Sequence, residues 1–550
     1  MRQTVGGSAN ERRNVVVGMR LVYLLGLPEF ACLPIKGSKT HSLFSFSRRH
    51  DERFLWSSST IATTSQQPTP TTRRKKTGLD WIPMKAKVVN RSLGEPNWRE
   101  WGKQEHEPRS CSLRSGDLLG MLYRAAVPIG GMLAGGRPPP RRPCSWKKVS
   151  SALQRLGEVM AATTYEQRGV SPDKPDVKRA VAEIDPGIFP GAFCKAIPDV
   201  LTGSPEHCML LHADGAGTKS ALAYVHFRRH GDPTVFRGIA QDSLVMNLDD
   251  LLCVGATGPY VISNTIGRNA KLVPSSVLQE IIGGYEALIG HLAQHGVEVF
   301  SCGGETADVG DLVRTVIVDT TIATRMLRGD FIDCSRVKPG HVIVGFASFG
   351  KATYEAADNS GIGTNGFTAA RHEVLSSRFK VEYPESFAPE IADLAYLGSS
   401  DIDDMLPGTS ATIGEALLSP TRTYAPVMVR VMPKYRRHIS AVFHNSGGGL
   451  TKCLSFGNGV TYEKTNLFDV PPVFDFIRRQ SHLPLRELVR VFNMGQRMEL
   501  VCDPSVASEI VAVSQEYGIA AKVIGKVTKR NRGRGLLIAI EGEEVQFVQE

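Results

Sequence analysis

Asp214-Gly-Ala-Gly-Thr-Lys219 closes an apolar run, Cys208-Met-Leu-Leu211, and opens a long amphipathic stretch. An acid, two glycines and a lysine in this order suit a polyphosphate. The glycines let the backbone come close, and a helix starting beyond them offers unpaired N–H groups to anions. Lys219 can answer phosphate charge, and Asp214 is a hard oxygen ligand of the kind Mg²⁺ takes. The spacing is not a Walker A loop, nor a dinucleotide fingerprint, because Gly215-x-Gly217 has no third glycine three residues on. Taken alone, the hexapeptide also reads as an ordinary glycine turn capping a helix.

Two further acidic elements follow. In Gln241-Asp-Ser-Leu-Val-Met-Asn-Leu-Asp-Asp250 the seven-residue step from Asp242 to Asp249 is close to two helical turns. The two carboxylates therefore share a helix face, with Asp250 on its shoulder, and repel unless a cation or basic group sits there. Val297-Glu-Val-Phe300 then reads as a strand leading into a second acidic glycine turn, Gly303-Gly-Glu-Thr-Ala-Asp308. Solvated acids in loops are common, but three such elements in one region predict a Mg²⁺–nucleotide site, with carboxylates as ligands and turns as N–H donors.

Positioning them needs alternating strands and helices. Strand-like runs fall at Met209–His212, Tyr260–Asn264, Val297–Ser301 and Val313–Ala323, and helical periodicity at Ser220–Arg229 and Ser275–Gln294. Lys338-Pro-Gly340 signals a boundary before a new strand, His341–Ala347. The sequence thus predicts an α/β (α+β) protein with one domain over 161–335, a second over 336–528, and a solvated tail over 529–550. Glycine-rich turns in both halves, at Asp214–Lys219 and His444–Gly449, suggest that the halves face one cleft.

The first 160 residues differ in kind. They carry 27 Lys+Arg against 11 Asp+Glu, whereas the remainder carries 38 against 44. The overall charge of +10 therefore belongs to the Arg-, Ser-, Thr- and Pro-rich extension, and the folded part has no charge-based case for nucleic-acid binding. Three readings of residues 1–160 compete: a disordered segment, an organelle transit segment, or translated sequence upstream of a start at Met160. The protein is accordingly placed in the cytoplasm, or in a plastid or mitochondrion if the extension is a transit peptide. The ten cysteines form no zinc-spaced cluster, and no apolar run approaches a membrane span.

In order and content these motifs resemble the aminoimidazole ribonucleotide (AIR) synthase family, the phosphoribosylformylglycinamidine cyclo-ligases. That family has an Asp-Gly-x-Gly-Thr-Lys turn, then Asp with Asn-Asp seven residues on, then Gly-Gly-Glu-Thr-Ala-Glu. Pro420-Thr-Arg-Thr-Tyr424, His444-Asn-Ser-Gly-Gly-Gly449 and Phe492-Asn-Met-Gly495 with Met498 are similar to its later motifs, and Tyr165-Glu-Gln-Arg-Gly-Val170 to its start. The resemblance runs from Tyr165 to about Val527. Three departures stand out: Asp249 replaces an Asn, Asp308 replaces a Glu, and the Ser-x-Gly-x-His-Ser-Asn-Gly turn is split, with thirteen residues between Ser348-Phe-Gly350 and Thr364-Asn365-Gly366.

The resemblance implies an N-terminal ATP-binding domain, a C-terminal α/β domain, and a homodimer whose first-domain strands form a shared barrel. It implies ATP-dependent ring closure of formylglycinamidine ribonucleotide to AIR with release of ADP and phosphate. By this likeness Lys219, Asp242 and His444 are catalytic. Asp214, Gly215, Gly217, Thr218, Lys219, Glu305 and Thr306 bind ATP. Asp214, Asp242, Asp249, Asp250 and Glu305 are Mg²⁺ ligands. Asn365, Gly366, His444 and Gly447, Gly448 and Gly449 hold the purine intermediate, and a K⁺ requirement is left open. The rivals are another ATP-using enzyme of the superfamily, such as the amidine-forming synthetase or a thiamine-phosphate kinase, and a silent nucleotide-binding paralogue. The remodelled loop Lys351–Thr364 is the support for that last reading.

Overall fold

The helix Phe236–Leu252 has 14 of its 17 residues buried, carboxylates included. A helix covered on all sides must lie between layers. This one packs on strands of a first sheet and the helix Ser275–Ala293, and also touches the helix Ala425–Tyr435 and the strand Ile439–His444 of a second sheet. The computed structural model describes residues 164–549 apart from 173 and 482; the three readings of residues 1–160 lie outside the described residues.

The first sheet has five strands in the order Ala196–Pro198, His207–Gly215, Val316–Leu327, Tyr260–Arg268, Val299–Asp308. Its one parallel pair is Tyr260–Arg268 with Val299–Asp308. Alternation fixes the faces: Cys208 and Leu210 point into the core, while Leu211 points out. The second sheet has seven strands: Glu543–Gln549, Arg534–Ile540, Val460–Lys464, Ala521–Lys529, Val342–Ala347, Gln496–Cys502 and Ile439–His444. The expected alternation of strands and helices is therefore present as a mixed α/β fold with two sheets.

Two expectations are corrected. Gly303–Asp308 is not a turn after a strand but part of the strand Val299–Asp308, because its backbone is paired along Tyr260–Arg268. Residues 529–550 do not make a solvated tail. Arg534–Ile540 pairs in parallel with Val460–Lys464, and Glu543–Gln549 folds back on it, burying Leu536, Ile538, Ile540 and Phe547. The apolar alternation Leu536-x-Ile538-x-Ile540 was the available sign of a strand.

One core group sets a pH dependence. His372, in the helix Phe367–Val374, is buried, accepts from the Tyr396 amide at 3.2 Å through Nδ1, and has no hydrogen-bond partner at Nε2. Burial, with Arg371, Arg168 and Lys380 nearby, pushes its pKa down to about 2. Only the unfolded chain takes up this proton between pH 6.5 and that value, so the stability it contributes is complete above pH 6.5 and declines as pH falls. Acidification from pH 6.5 to 5 should cost about 2 kcal/mol at this site. Urea unfolding across this range should show a shallower slope for His372→Leu than for wild type; an unchanged slope would mean another group titrates.

Candidate functional site

The strand His207–Gly215 delivers the chain to a turn whose Gly217 sits at φ +58, and Lys219 begins the next helix. Asp214, Gly217 and Thr218 are exposed at this tip, and a side chain at Gly217 would meet nothing within 4 Å. The turn thus keeps room for a ligand. Lys219 does not share it. Its side chain is fully buried, with Nζ 3.1 Å from both Asp242 oxygens, 2.6 Å from the Ser419 carbonyl and 3.3 Å from that of Gly363. Burial lowers the Lys219 pKa and raises that of Asp242, each opposed by the other's charge. The expectation of an ammonium free to meet phosphate is corrected: the Asp242 carboxylate, 23 residues further along the chain, has claimed it.

The acidic helix face is met by an extended segment. Asp242 accepts from Thr421 through both its amide (2.8 Å) and its hydroxyl (2.6 Å). Asp249 accepts from the Thr423 hydroxyl at 2.6 Å and the Tyr424 amide at 3.3 Å. Two threonines two apart on an extended chain point the same way, as do two aspartates seven apart on a helix, so the faces match. Arg422 between them points oppositely. It is clamped by Glu355 and donates to the carbonyls of Ala347 (3.1 Å), Phe349 (2.8 Å) and Gly350 (2.6 Å). The inserted segment Lys351–Thr364 is thus fastened at Glu355 and returns to place the Gly363 carbonyl on Lys219.

A second polar chain crosses between the sheets. His212 Nε2 lies 3.3 Å from Asp250 Oδ2, and His444 Nδ1 lies 2.6 Å from Asp250 Oδ1. Arg497 donates Nε and Nη2 to His444 Nε2, each at 2.9 Å. A guanidinium can only donate, so His444 Nε2 is the acceptor and its proton resides on Nδ1, facing Asp250. Burial and the Arg497 charge hold the His444 pKa low. Burial would raise Asp250, yet hydrogen bonds from His212 and His444 hold it well below the usual carboxylate range. Both ring nitrogens of His444 are committed, so it positions Asp250 and Arg497 and is not free to exchange a proton with a ligand.

Asp249, where the resembled family has Asn, is fully buried with Oδ2 lacking any hydrogen-bond partner. Burial pushes its carboxyl up to about 7, against the pull of Arg497. His212, Arg497, Thr421, Thr423 and Glu355 were absent from the sequence-derived site. The Thr421-x-Thr423 spacing was a readable sign; Arg497 and Glu355 gave none.

The five assigned metal ligands do not converge. Gly215, Asp319, Thr265 and Glu305 stand in register across four strands, so Glu305 is three strand spacings, about 14 Å, from the Asp214–Gly215 turn. Asp242 is paired with Lys219 and accepts from Thr421 through Oδ1, its Oδ2 having no hydrogen bond of its own, and Asp250 is held by two imidazoles. Among the described residues no group of three or more His, Cys, Asp or Glu is placed to hold a metal ion. As arranged, Asp214, Asp242, Asp249, Asp250 and Glu305 do not fit a Mg²⁺ centre. Glu305 and Thr306 lie exposed on the edge strand, away from the turn they were expected to join.

Of the expected substrate residues, Gly366 starts the helix Phe367–Val374 at φ +74, where an added Cβ would lie 2.5 Å from the Phe492 ring. Asn365 is half-buried, its Nδ2 3.9 Å from where a Cβ at Gly447 would stand. Gly447 and Gly448 border an open cavity, whereas Gly449 packs against the Val489 and Phe492 carbonyls. The structure therefore brings Asn365 and Gly447 together and leaves Gly449 a packing role.

A family described as AIR synthase related protein, N-terminal domain, matches residues 196–326, and the AIR synthase related C-terminal domain matches 338–538. A phosphoribosylformylglycinamidine cyclo-ligase of Methanocaldococcus jannaschii is 27% identical over 325 residues, 58% of this chain and 79% of that one. Its namesake from Staphylococcus carnosus is 29% identical over 324 residues, with the same shares of 58% and 79%. Among solved structures, T. maritima PurL complexed with FGAR aligns at TM-score 0.38 and 16% identity, covering 62% of this chain and 44% of that chain. No helix among the described residues is long and apolar enough to cross a membrane.

Proposed function

The chain belongs to the AIR synthase related family, and we propose that within it the protein is an ATP-dependent cyclo-ligase. The reaction is closure of formylglycinamidine ribonucleotide to aminoimidazole ribonucleotide with release of ADP and phosphate, a step of purine biosynthesis. The γ-phosphoryl goes to the formyl oxygen, the neighbouring nitrogen attacks the activated carbon, and phosphate leaves with that oxygen. Such chemistry needs alignment and charge neutralisation more than a protein nucleophile. The observation that carries the reading is the seam: motifs of both family-matched halves meet on one helix, Thr421 and Thr423 on Asp242 and Asp249, and His444 on Asp250.

In this reading the first sheet belongs to an ATP-binding domain and the second to a C-terminal domain. The exposed Asp214–Thr218 turn receives ATP phosphates through its backbone, while Asn365, Gly447 and Gly448 face the purine intermediate. Lys219, Asp242 and His444 act as positioning residues, since each is buried and paired with another residue of the protein. Steady-state release of ADP in the presence of the formylglycinamidine substrate, with the aminoimidazole product identified by mass, is the expected result. Binding of ATP without substrate-dependent ADP release would favour the silent paralogue, and thiamine-phosphate-dependent release would favour the kinase.

The proposed homodimer has a candidate surface. Leu211, Ala323, Val261 and Phe300 stand in register across four strands, and Leu211, Val261 and Phe300 are 69%, 43% and 56% exposed. An apolar row with an open edge strand beside it invites a second copy. Sedimentation should give a dimer, and Phe300→Glu should move it to monomer; a wild-type monomer at micromolar concentration would remove this proposal.

A further inference from the structure

Three glycines in a row, Gly447-Gly-Gly449, have little stiffness of their own, so the shape of their turn must be imposed from outside. Gly448 and Gly449 sit at φ +95 and +50, and among the described residues the Gly447 and Gly448 amides donate to no protein group. Both ends of the turn reach a buried ion pair that the proposed reaction does not use. Lys464 ends the strand Val460–Lys464, and Glu499 lies in the strand Gln496–Cys502. Both are fully buried, with Lys464 Nζ 2.7 Å from Glu499 Oε1 and 2.6 Å from Oε2. Their strands are three spacings apart in the sheet, about 14 Å if it were flat, so they meet because the sheet curls. Phe443, the cross-strand partner of Glu499, and Tyr462 close the same face, with ring centroids 5.7 Å apart.

The pair holds the turn on both sides of the glycines. Before them, Asn445 donates through Nδ2 to Glu499 Oε1 at 2.8 Å and to the Gln496 carbonyl at 2.7 Å. After them, the Leu450 carbonyl accepts from Lys464 Nζ at 2.7 Å. Asn445 and Leu450 bracket Ser446 and the three glycines, so one ion pair sets the separation of the turn's ends. Hydrogen bonds to charged groups in a buried site are stronger than those on a surface. A buried pair adds little net stability over apolar side chains of like volume, so stability alone does not account for it. We propose that Lys464 and Glu499 are positioning residues: they clamp the ends of the glycine turn and hold the Gly447 and Gly448 amides in the arrangement a ligand meets. That this ligand is the purine intermediate rests on the cyclo-ligase reading; the clamp itself does not.

Hydrogen exchange and steady-state kinetics on the full chain test the clamp. Lys464→Met/Glu499→Leu removes both charges at similar volume, taking the Lys464 donor from Leu450 and leaving Asn445 Nδ2 the Gln496 carbonyl. The Gly449 and Thr451 amides donate to the Ser446 and Gly448 carbonyls at 2.9 and 3.0 Å. In the double variant they should exchange on the order of tenfold faster, relative to the slowest amides of the second sheet. Ile510→Ala, buried in the helix Pro504–Glu516, is the control for lost stability alone. Should the double variant not fold, Asn445→Ala cuts one end, leaves the pair intact, and should quicken the same two amides. KM for the formylglycinamidine substrate should rise about tenfold with kcat changed less, because the turn holds substrate and transition state alike. Faster local exchange with KM unchanged, or in a protein without turnover, upholds the clamp and removes the purine intermediate from the turn. Exchange at Gly449 and Thr451 no faster than in Ile510→Ala overturns the clamp.

Discussion

Replacing Lys219 by Met should lower the stability of the protein by about 3–5 kcal/mol, the cost of stranding one partner of a fully buried ion pair. Lys219 and Asp242 are both inaccessible, and Met keeps the stem's packing while removing the charge that sits 3.1 Å from the carboxylate. The Ser419 and Gly363 carbonyls lose their donor as well. From sequence alone the same substitution is expected to leave stability nearly unchanged and to act only on phosphoryl transfer. Asp242→Asn should likewise destabilise rather than leave the fold intact. Urea midpoints at constant slope measure both, and the double variant Lys219→Met/Asp242→Asn should lose less than the sum of the singles. A Lys219→Met protein as stable as wild type but unable to bind ATP would restore the sequence view and refute the structural one.

Arg422→Met should cost a similar amount, about 3–5 kcal/mol, and should also disorder the segment that follows Gly350. The guanidinium is buried, pairs with Glu355, and satisfies three main-chain carbonyls at the root of the inserted loop. Without it, Glu355 is uncompensated and Asn359, which Glu355 also holds at 3.0 Å, is loosened. Because Gly363 ends that loop on Lys219, ADP release should fall further than the folded fraction accounts for. Hydrogen exchange should locate faster amides within 351–364. Protection equal to wild type there, at equal stability, would mean that Arg422 is not what fastens the loop.

Sequence periodicity by itself determined much of what is local. It placed the strand before Asp214, the helix after Lys219, and Asp242, Asp249 and Asp250 on one helix. Backbone geometry repeats every 3.6 or 2 residues, so spacing alone says which side chains share a face. It failed where the same glycine-and-acid composition serves two backbones: Gly303–Asp308 has the residues of a turn but is held extended by its neighbour strand.

What only the tertiary structure decided is which partner each of those groups meets. Lys219 and Asp242 are 23 residues apart, Asp242 and Thr421 are 179 apart, and Asp250 and His444 are 194 apart. No local period carries pairings over such separations. Burial then changes the chemistry of the residues paired. In water Lys219 would be a mobile cation and the three aspartates a repelling row suited to a metal. Enclosed between two sheets, each seeks the nearest compensating group, and the chain itself supplies it: a lysine, two threonines and two histidines. The sequence stated the charges, but desolvation, which exists only once the layers have closed, determined that donors from within the chain meet them.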